Sequence, residues 1–191
     1  MNAYIIGNGT SRKTFDLTKL KGKGTVYGCN ALYRDFMPDV LIVHDFKITE
    51  EVFNSGYSGN LWCRRPPEGV DHDQVYDLKH PGQRWATGPT AVYIAAQQHD
   101  TLYLLGFDFV GIEDGLINNL YVDTPNYRRS TFQAPNPENW VSNILEVINN
   151  NTEKSFTFVG SKPLTEFEKC SNICILDYDT FEKKLNETLP T

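Results

Sequence analysis

The chain has 191 residues, enough for one domain to bury a core without disulfide or metal staples. Apolar residues make up 40%, charged residues 22% and aromatics 13%, which excludes a disordered chain, and no apolar run is long enough to cross a bilayer as a helix. The net charge of −6 disfavours a general nucleic-acid coat, which needs excess positive charge, while leaving room for a local basic groove.

Taken in chain order, short apolar runs alternate with helical segments. Tyr4-Ile5-Ile6 stops at Gly7-Asn8-Gly9, and the stretch before it lacks the charged and long apolar regions of a signal peptide, so it reads as a first strand. Gly24-Thr25-Val26-Tyr27 ends at Gly28-Cys29-Asn30, and Asp39-Val40-Leu41-Ile42-Val43 ends at His44-Asp45. Thr49 is a fair cap for a helix through Val52 and Phe53, and Asn60-Leu61-Trp62-Cys63 is a fourth run. Residues 91–96 are helical and nearly apolar all round, as a buried crossover helix should be, with Thr87 as cap and Pro89 in the first turn. Thr101-Leu102-Tyr103-Leu104-Leu105 ends at Gly106-Phe107-Asp108. Residues 137–149 carry Trp140, Val141, Ile144, Leu145 and Ile148 at helical spacing. Runs at 155–159 and 173–176 and a terminal helix over 181–189 complete the series.

The runs are β-branched and aromatic without strict polar alternation, as strands buried on both faces of a parallel sheet are. The expected fold is an α/β, doubly wound, mostly parallel Rossmann-like sheet in one domain over 1–191. Residues 110–136 break the rhythm directly after a strand, which makes them a lid or binding loop at the carboxyl edge of the sheet, where open α/β folds bind ligands. The four cysteines show no metal-ligand spacing and read as reduced thiols, so no metal is expected and the expected location is the cytoplasm.

The strand ends hold the residues with chemistry. Gly7-Asn8-Gly9-Thr10-Ser11 could bring backbone N–H groups to an anion at a following helix N-terminus, or be a tight turn with Ser11 as helix cap. It is not a full dinucleotide fingerprint, because Arg12 stands where the third glycine belongs and Asn30 where a ribose-binding acid belongs. Asn8, Asn30, His44, Asp45, Thr87, Gly88, Gly106 and Asp108 share one sheet edge. Neutral amides there suit a base, ribose or sugar, although each residue alone reads equally as a turn or cap. Arg84 precedes a helix N-terminus that could hold phosphate, or is a surface arginine. His99, at a helix C-terminus where a cation is favoured, reads as structural. Asp71-His72-Asp73 does not converge as a metal site, His80 suggests no role, and His44-Asp45 is the best functional pair.

Together these motifs resemble the bacterial lid-type sialyltransferases, glycosyltransferase family 42, from residue 4 to about 160. The likeness rests on Ile6-Gly7-Asn8-Gly9-Thr10-Ser11, Cys29-Asn30, Gln83-Arg84-Trp85-Ala86-Thr87-Gly88 and Leu105-Gly106-Phe107-Asp108-Phe109. The resemblance implies transfer from a cytidine monophosphate (CMP) sugar without metal or other cofactor, with an unknown acceptor as second partner. By the resemblance Asn8, Asn30, Thr87 and Gly88 would hold the nucleotide, Arg84 would assist near the reacting groups, and Tyr121 and Tyr127 would serve as the lid tyrosines; Gly7, Gly9, Ser11, Gly106 and Asp108 are the strand-end candidates for the same pocket. Two positions depart from the family: Val110 replaces the tyrosine after Gly-x-Asp-Phe, and no histidine follows His99 to act as base. His44, Asp45 or Asp123 could take the proton instead, or the chain could bind a nucleotide without turnover. Arg128-Arg129 could neutralise a phosphate or form a solvated loop tip. Transfer onto modified nucleic acid is the remaining reading, which the acidic charge disfavours. A homo-oligomer stays open.

Overall fold

The computed structural model describes residues 1–64, 66, 75–77, 85–160 and 164–187. Eight strands form one sheet: β1 (Asn2–Ile6), β2 (Thr25–Cys29), β3 (Val40–Val43), β4 (Asn60–Cys63), β5 (Val75–Asp77), β6 (Thr101–Leu105), β7 (Ser155–Val159) and β8 (Ile173–Leu176). Their order is β5-β4-β3-β2-β1-β6-β7-β8, and every pairing is parallel. The order reverses at β1, which pairs with β2 on one side and β6 on the other, giving the crevice where a doubly wound sheet takes its ligand.

The central strands are buried on both faces, which is why their sequence does not alternate in polarity. Ala3 and Ile5 of β1 face one apolar layer, with Leu102, Leu104, Phe156 and Phe158. Tyr4 and Ile6 face the other, with Tyr103 and Leu105. The first layer is covered by α2 (Thr87–Ala96) and α3 (Glu138–Asn149). Phe181 and Leu185 of α4 (Tyr178–Glu187) close the second. A smaller cluster joins Leu41, Val43 and Leu61 to Ile48 and Val52 of α1 (Phe46–Asn54), with Tyr127 packed against it.

Several local expectations change. Asp45, not Thr49, caps α1: its carboxylate accepts from the Lys47 and Ile48 amides at 2.9 and 3.2 Å, while Thr49 lies inside the helix and donates to the Asp45 carbonyl. Thr87 does not cap α2 either. Ala86 holds that place with no side-chain cap, and Thr87 is already helical. α3 begins one residue late, at Glu138, with Pro137 as its cap. α4 begins at Tyr178, because Asp177 accepts from the Thr180 amide at 2.7 Å. No long helix follows β1, only the 3₁₀ turns Thr10–Arg12 and Leu17–Leu20, and Gly9 rather than Ser11 stands at the cap of the first. β5 was not foreseen, being three residues long. His72, His80 and Arg84 lie outside the described residues. No helix among the described residues is long and apolar enough to cross a membrane.

Segment 110–136 has a fixed path without long elements. It holds a short 3₁₀ turn at Glu113–Gly115 and an antiparallel bridge between Leu116 and Gln133. It returns to the sheet edge through the Leu120 amide, which donates to the Asn8 carbonyl at 2.8 Å.

Gly106 tests the tightness of the crevice. Its φ is +69°, and an added Cβ would meet the Gly7 carbonyl oxygen at 2.9 Å and Arg12 Cδ at 3.0 Å. Gly22 has a similar φ of +71° with open space around it. Gly22→Ala is expected to cost about 1 kcal/mol in urea unfolding and Gly106→Ala about 2–4 kcal/mol, the excess measuring the crowding. Equal losses would show that the two turns have room to part.

Candidate functional site

The site begins where β1 and β6 release the chain side by side. The Gly7 amide donates to the Leu105 carbonyl at 2.8 Å and the Gly9 amide to the Gly106 carbonyl at 2.9 Å. A Cβ on Gly7 would lie 2.5 Å from the Gly106 oxygen, so the close approach of the two turns requires a glycine here. The anion cradle expected here is filled from within. The Ser11 amide donates to Asp108 Oδ2 at 2.8 Å, and the Thr10 amide and hydroxyl both donate to Asn118 Oδ1 at 2.8 Å. Buried Arg12 completes the turn, donating Nε to the Gly7 carbonyl at 2.6 Å.

Beside this turn lies a cavity of about 460 Å³ at the carboxyl ends of the strands. Gly7, Asn8 and Gly9 line it after β1, Asn30 after β2, His44 and Asp45 after β3. Gly106 and Asp108 contribute after β6, and Thr87 and Gly88 from the first turn of α2. Ser11 is not part of the lining. Trp85, Phe107, Phe109 and Trp140 give the cavity an apolar wall.

Asn30 occupies the left-handed region, with φ 49°, which asparagine tolerates better than most residues. Its Oδ1 accepts from the Thr87 hydroxyl at 3.1 Å, tying the end of β2 to the start of α2. With no side-chain cap on α2, its first turn presents the positive end of the helix dipole to the cavity. Asn8 Oδ1, Asp108 Oδ1 and His44 Nε2, on lining residues, are shut from solvent and make no hydrogen bond among the described residues.

His44 is not a cation. Its burial and the Arg64 charge, with Arg64 Nη2 at 3.4 Å from Nδ1, push its pKa down to about 4, against an opposing pull from the Trp85 backbone. Asp45 Oδ1 accepts from both α1 amides. Cys29, also in the wall, is a neutral thiol, pushed up to about 12 by burial. His99 departs from the expected helix-end cation: burial lowers it, and its ring nitrogens meet the Tyr27 hydroxyl at 3.0 Å and the Met1 carbonyl at 3.2 Å.

The two tyrosines of segment 110–136 do not line the cavity. Tyr121 is buried, with its hydroxyl accepting from Arg12 Nη2 at 3.1 Å. The Tyr127 hydroxyl accepts from Asn8 Nδ2 at 3.2 Å and the Ala31 amide at 3.3 Å. Burial raises both phenols above their ordinary range. Asp123, Arg128 and Arg129 are exposed, and Asp123 accepts from the Ser130 amide. Arg64, Asn118 and Asn119 line the cavity and escaped the sequence reading. Arg64 could have been found, because it directly follows the fourth apolar run. Among the described residues no three of His, Cys, Asp and Glu gather as a metal site.

His44 makes stability pH-dependent. Unfolded, it takes a proton near pH 6.5; folded, it resists until about pH 4. Its contribution is therefore complete above pH 6.5 and is lost as pH falls toward 4, on the order of 3 kcal/mol over the window. His44→Gln is expected to lose less stability between pH 6.5 and 4 than the native chain in urea titrations. Parallel curves would remove His44 as the cause.

No family model matches the chain, and no curated protein does. Solved structures do. The chain is similar to the sialyltransferase CstII from Campylobacter jejuni in complex with a substrate analogue, cytidine-5′-monophosphate, at 16% identity and TM-score 0.50, over 91% of this chain and 84% of that one. A structure of the sialyltransferase CST-II with trisaccharide acceptor and CMP matches at 16% identity and TM-score 0.46, over 83% and 80% of the two chains. The chain shares the α/β fold of the Campylobacter jejuni enzyme.

Proposed function

We propose that the chain is a glycosyltransferase-like protein that binds a CMP-sugar without a metal. The observation that carries this reading is the cavity at the strand ends, which Asn8, Asn30 and the uncapped first turn of α2 line together. The likeness in fold and the strand-end motifs support the choice of nucleotide.

The Thr87 and Gly88 amides at the positive end of α2 suit a phosphate, and Arg64 in the same wall adds a cation. Carboxamides of Asn8 and Asn30 suit the donors and acceptors of base and ribose, and a ligand N–H or O–H would answer the orphaned Asn8 Oδ1. Segment 110–136 forms the lid, with Asn118 and Asn119 on its cavity side. In transfer, the acceptor hydroxyl oxygen bonds to the anomeric carbon, the bond from that carbon to the phosphate oxygen breaks, and its electron pair leaves on the nucleotide. The hydroxyl proton passes to neutral His44 or to water. Most of the barrier reduction would come from positioning and from stabilising the leaving phosphate.

The second reading is nucleotide binding without turnover. It is favoured by the engagement of both lid tyrosine hydroxyls with Arg12 and Asn8 of the turn after β1, and by the low basicity of His44. Calorimetric titration separates the possibilities. CMP is set beside the uridine, adenosine and guanosine monophosphates, their diphosphates and NAD, with and without magnesium. The expected result is a preference for CMP that magnesium does not alter, followed by slow release of CMP from a CMP-sugar. Preference for a uridine diphosphate would move the donor, tight CMP binding without release would favour the second reading, and no binding would overturn both. Asn30→Ala is expected to weaken CMP at least tenfold, about 1.4 kcal/mol, with the fold intact by circular dichroism. Unchanged affinity would displace the pocket.

A further inference from the structure

The lid is fastened at a point outside the cavity lining. Arg34, at the end of the 3₁₀ turn Asn30–Arg34, forks onto Glu51 of α1, with Nε and Nη2 at 2.6 Å from the two carboxylate oxygens. The same guanidinium donates to Thr124 Oγ1 at 2.8 Å and to the Pro125 carbonyl at 2.9 Å. Glu51 also accepts from Asn126 Nδ2 at 2.8 Å and from the Tyr33 hydroxyl at 2.5 Å. The lid residues Thr124, Pro125 and Asn126 are thus held by both members of one ion pair. The two side chains are only 19% and 25% exposed, so water screens their attraction less than at an open surface. Burial alone would raise the Glu51 carboxyl; the hydrogen bonds from Tyr33, Arg34 and Asn126 outweigh it and hold it below its usual range.

The pair reaches the cavity through one ring. Arg34 stands 5.6 Å from the Tyr127 centroid and 5.9 Å from that of Tyr121. Tyr127 in turn bonds to Asn8 Nδ2 and the Ala31 amide, next to the two carboxamides of the cavity. We propose that Arg34 and Glu51 form a latch that fastens lid residues 124–127 and, through Tyr127, positions the strand-end loops that carry Asn8 and Asn30. Neither residue of the pair lines the cavity, so both are positioning residues. The ligand consequence rests on the nucleotide reading above; the latch itself does not.

Two ligand-free readouts test the latch on the full chain. Limited trypsin digestion reports on exposed Arg128 and Arg129, beside the latched residues, against exposed Lys21 as control. Hydrogen exchange follows the Ala31 amide, bonded to Tyr127, and the Leu120 amide, bonded to the Asn8 carbonyl. Glu51→Gln and Arg34→Lys, which keeps the charge but loses the fork, are expected to raise cutting after Arg128 or Arg129 about tenfold and to speed exchange at both amides. Asn126→Gly, which keeps the φ of 65° accessible and removes one lid contact, is expected to raise cutting severalfold with an unchanged urea midpoint. Unchanged cutting in Glu51→Gln and Arg34→Lys, or an equal rise at Lys21, would overturn the latch. Faster cutting with unchanged exchange at Ala31 would overturn its link to the cavity. With CMP as probe, both association and dissociation are expected to quicken in Glu51→Gln. A native chain that binds no CMP would end the nucleotide reading and leave the cutting and exchange results to decide the latch.

Discussion

Everything at the site depends on how closely two chain segments leave the sheet between β1 and β6. Parallel neighbours that diverge must turn away within van der Waals distance of each other. Here the turns meet backbone to backbone, with amides of Gly7 and Gly9 donating to carbonyls of Leu105 and Gly106. Side chains at these glycines would force the turns apart. Arg12 and Asp108 then satisfy the polar groups that the turns leave over, one donating to the Gly7 carbonyl and the other accepting from the Ser11 amide. The cavity is the space left beyond this stitch, and its polar residues are placed by it.

The site is built mainly from neutral groups held by partners far away in the chain. Asn30 is set by Thr87, Asn8 by Tyr127, and the turn after β1 by Asn118. Such a network is strong when complete and costly when one member is missing, because the groups are partly removed from water. Asn8 Oδ1, Asp108 Oδ1 and His44 Nε2 are the members left over, all on residues that line the cavity. On the function proposed above, these are the atoms to which a ligand would offer hydrogen-bond partners.

Much of this was legible in the sequence. The runs 60–63, 101–105, 155–159 and 173–176 fall on β4, β6, β7 and β8 without a shift, since apolar β-branched and aromatic segments bounded by glycine or polar turns have few alternatives. The gathering of Asn8, Asn30, His44, Thr87 and Asp108 at one edge follows from parallel topology alone. Less legible were features set by distant contacts. Asp45 outcompetes Thr49 as a cap because the helix begins earlier than its apolar pattern does. The orientation of Tyr127 depends on Asn8, 119 residues away, and no local pattern encodes that. β5, only three residues long, gives too short a pattern to read.

The carboxylate of Asp108 has a consequence for selectivity. In a dinucleotide-binding sheet, the amides after the first strand are left open for a pyrophosphate. Here the fold carries its own counter-anion in that position, covalently tethered and already bonded to the Ser11 amide. A dinucleotide would have to evict this side chain from the Ser11 amide before it could dock there. On the reading proposed above, this side chain would disfavour such cofactors whatever the shape of the cavity beside it.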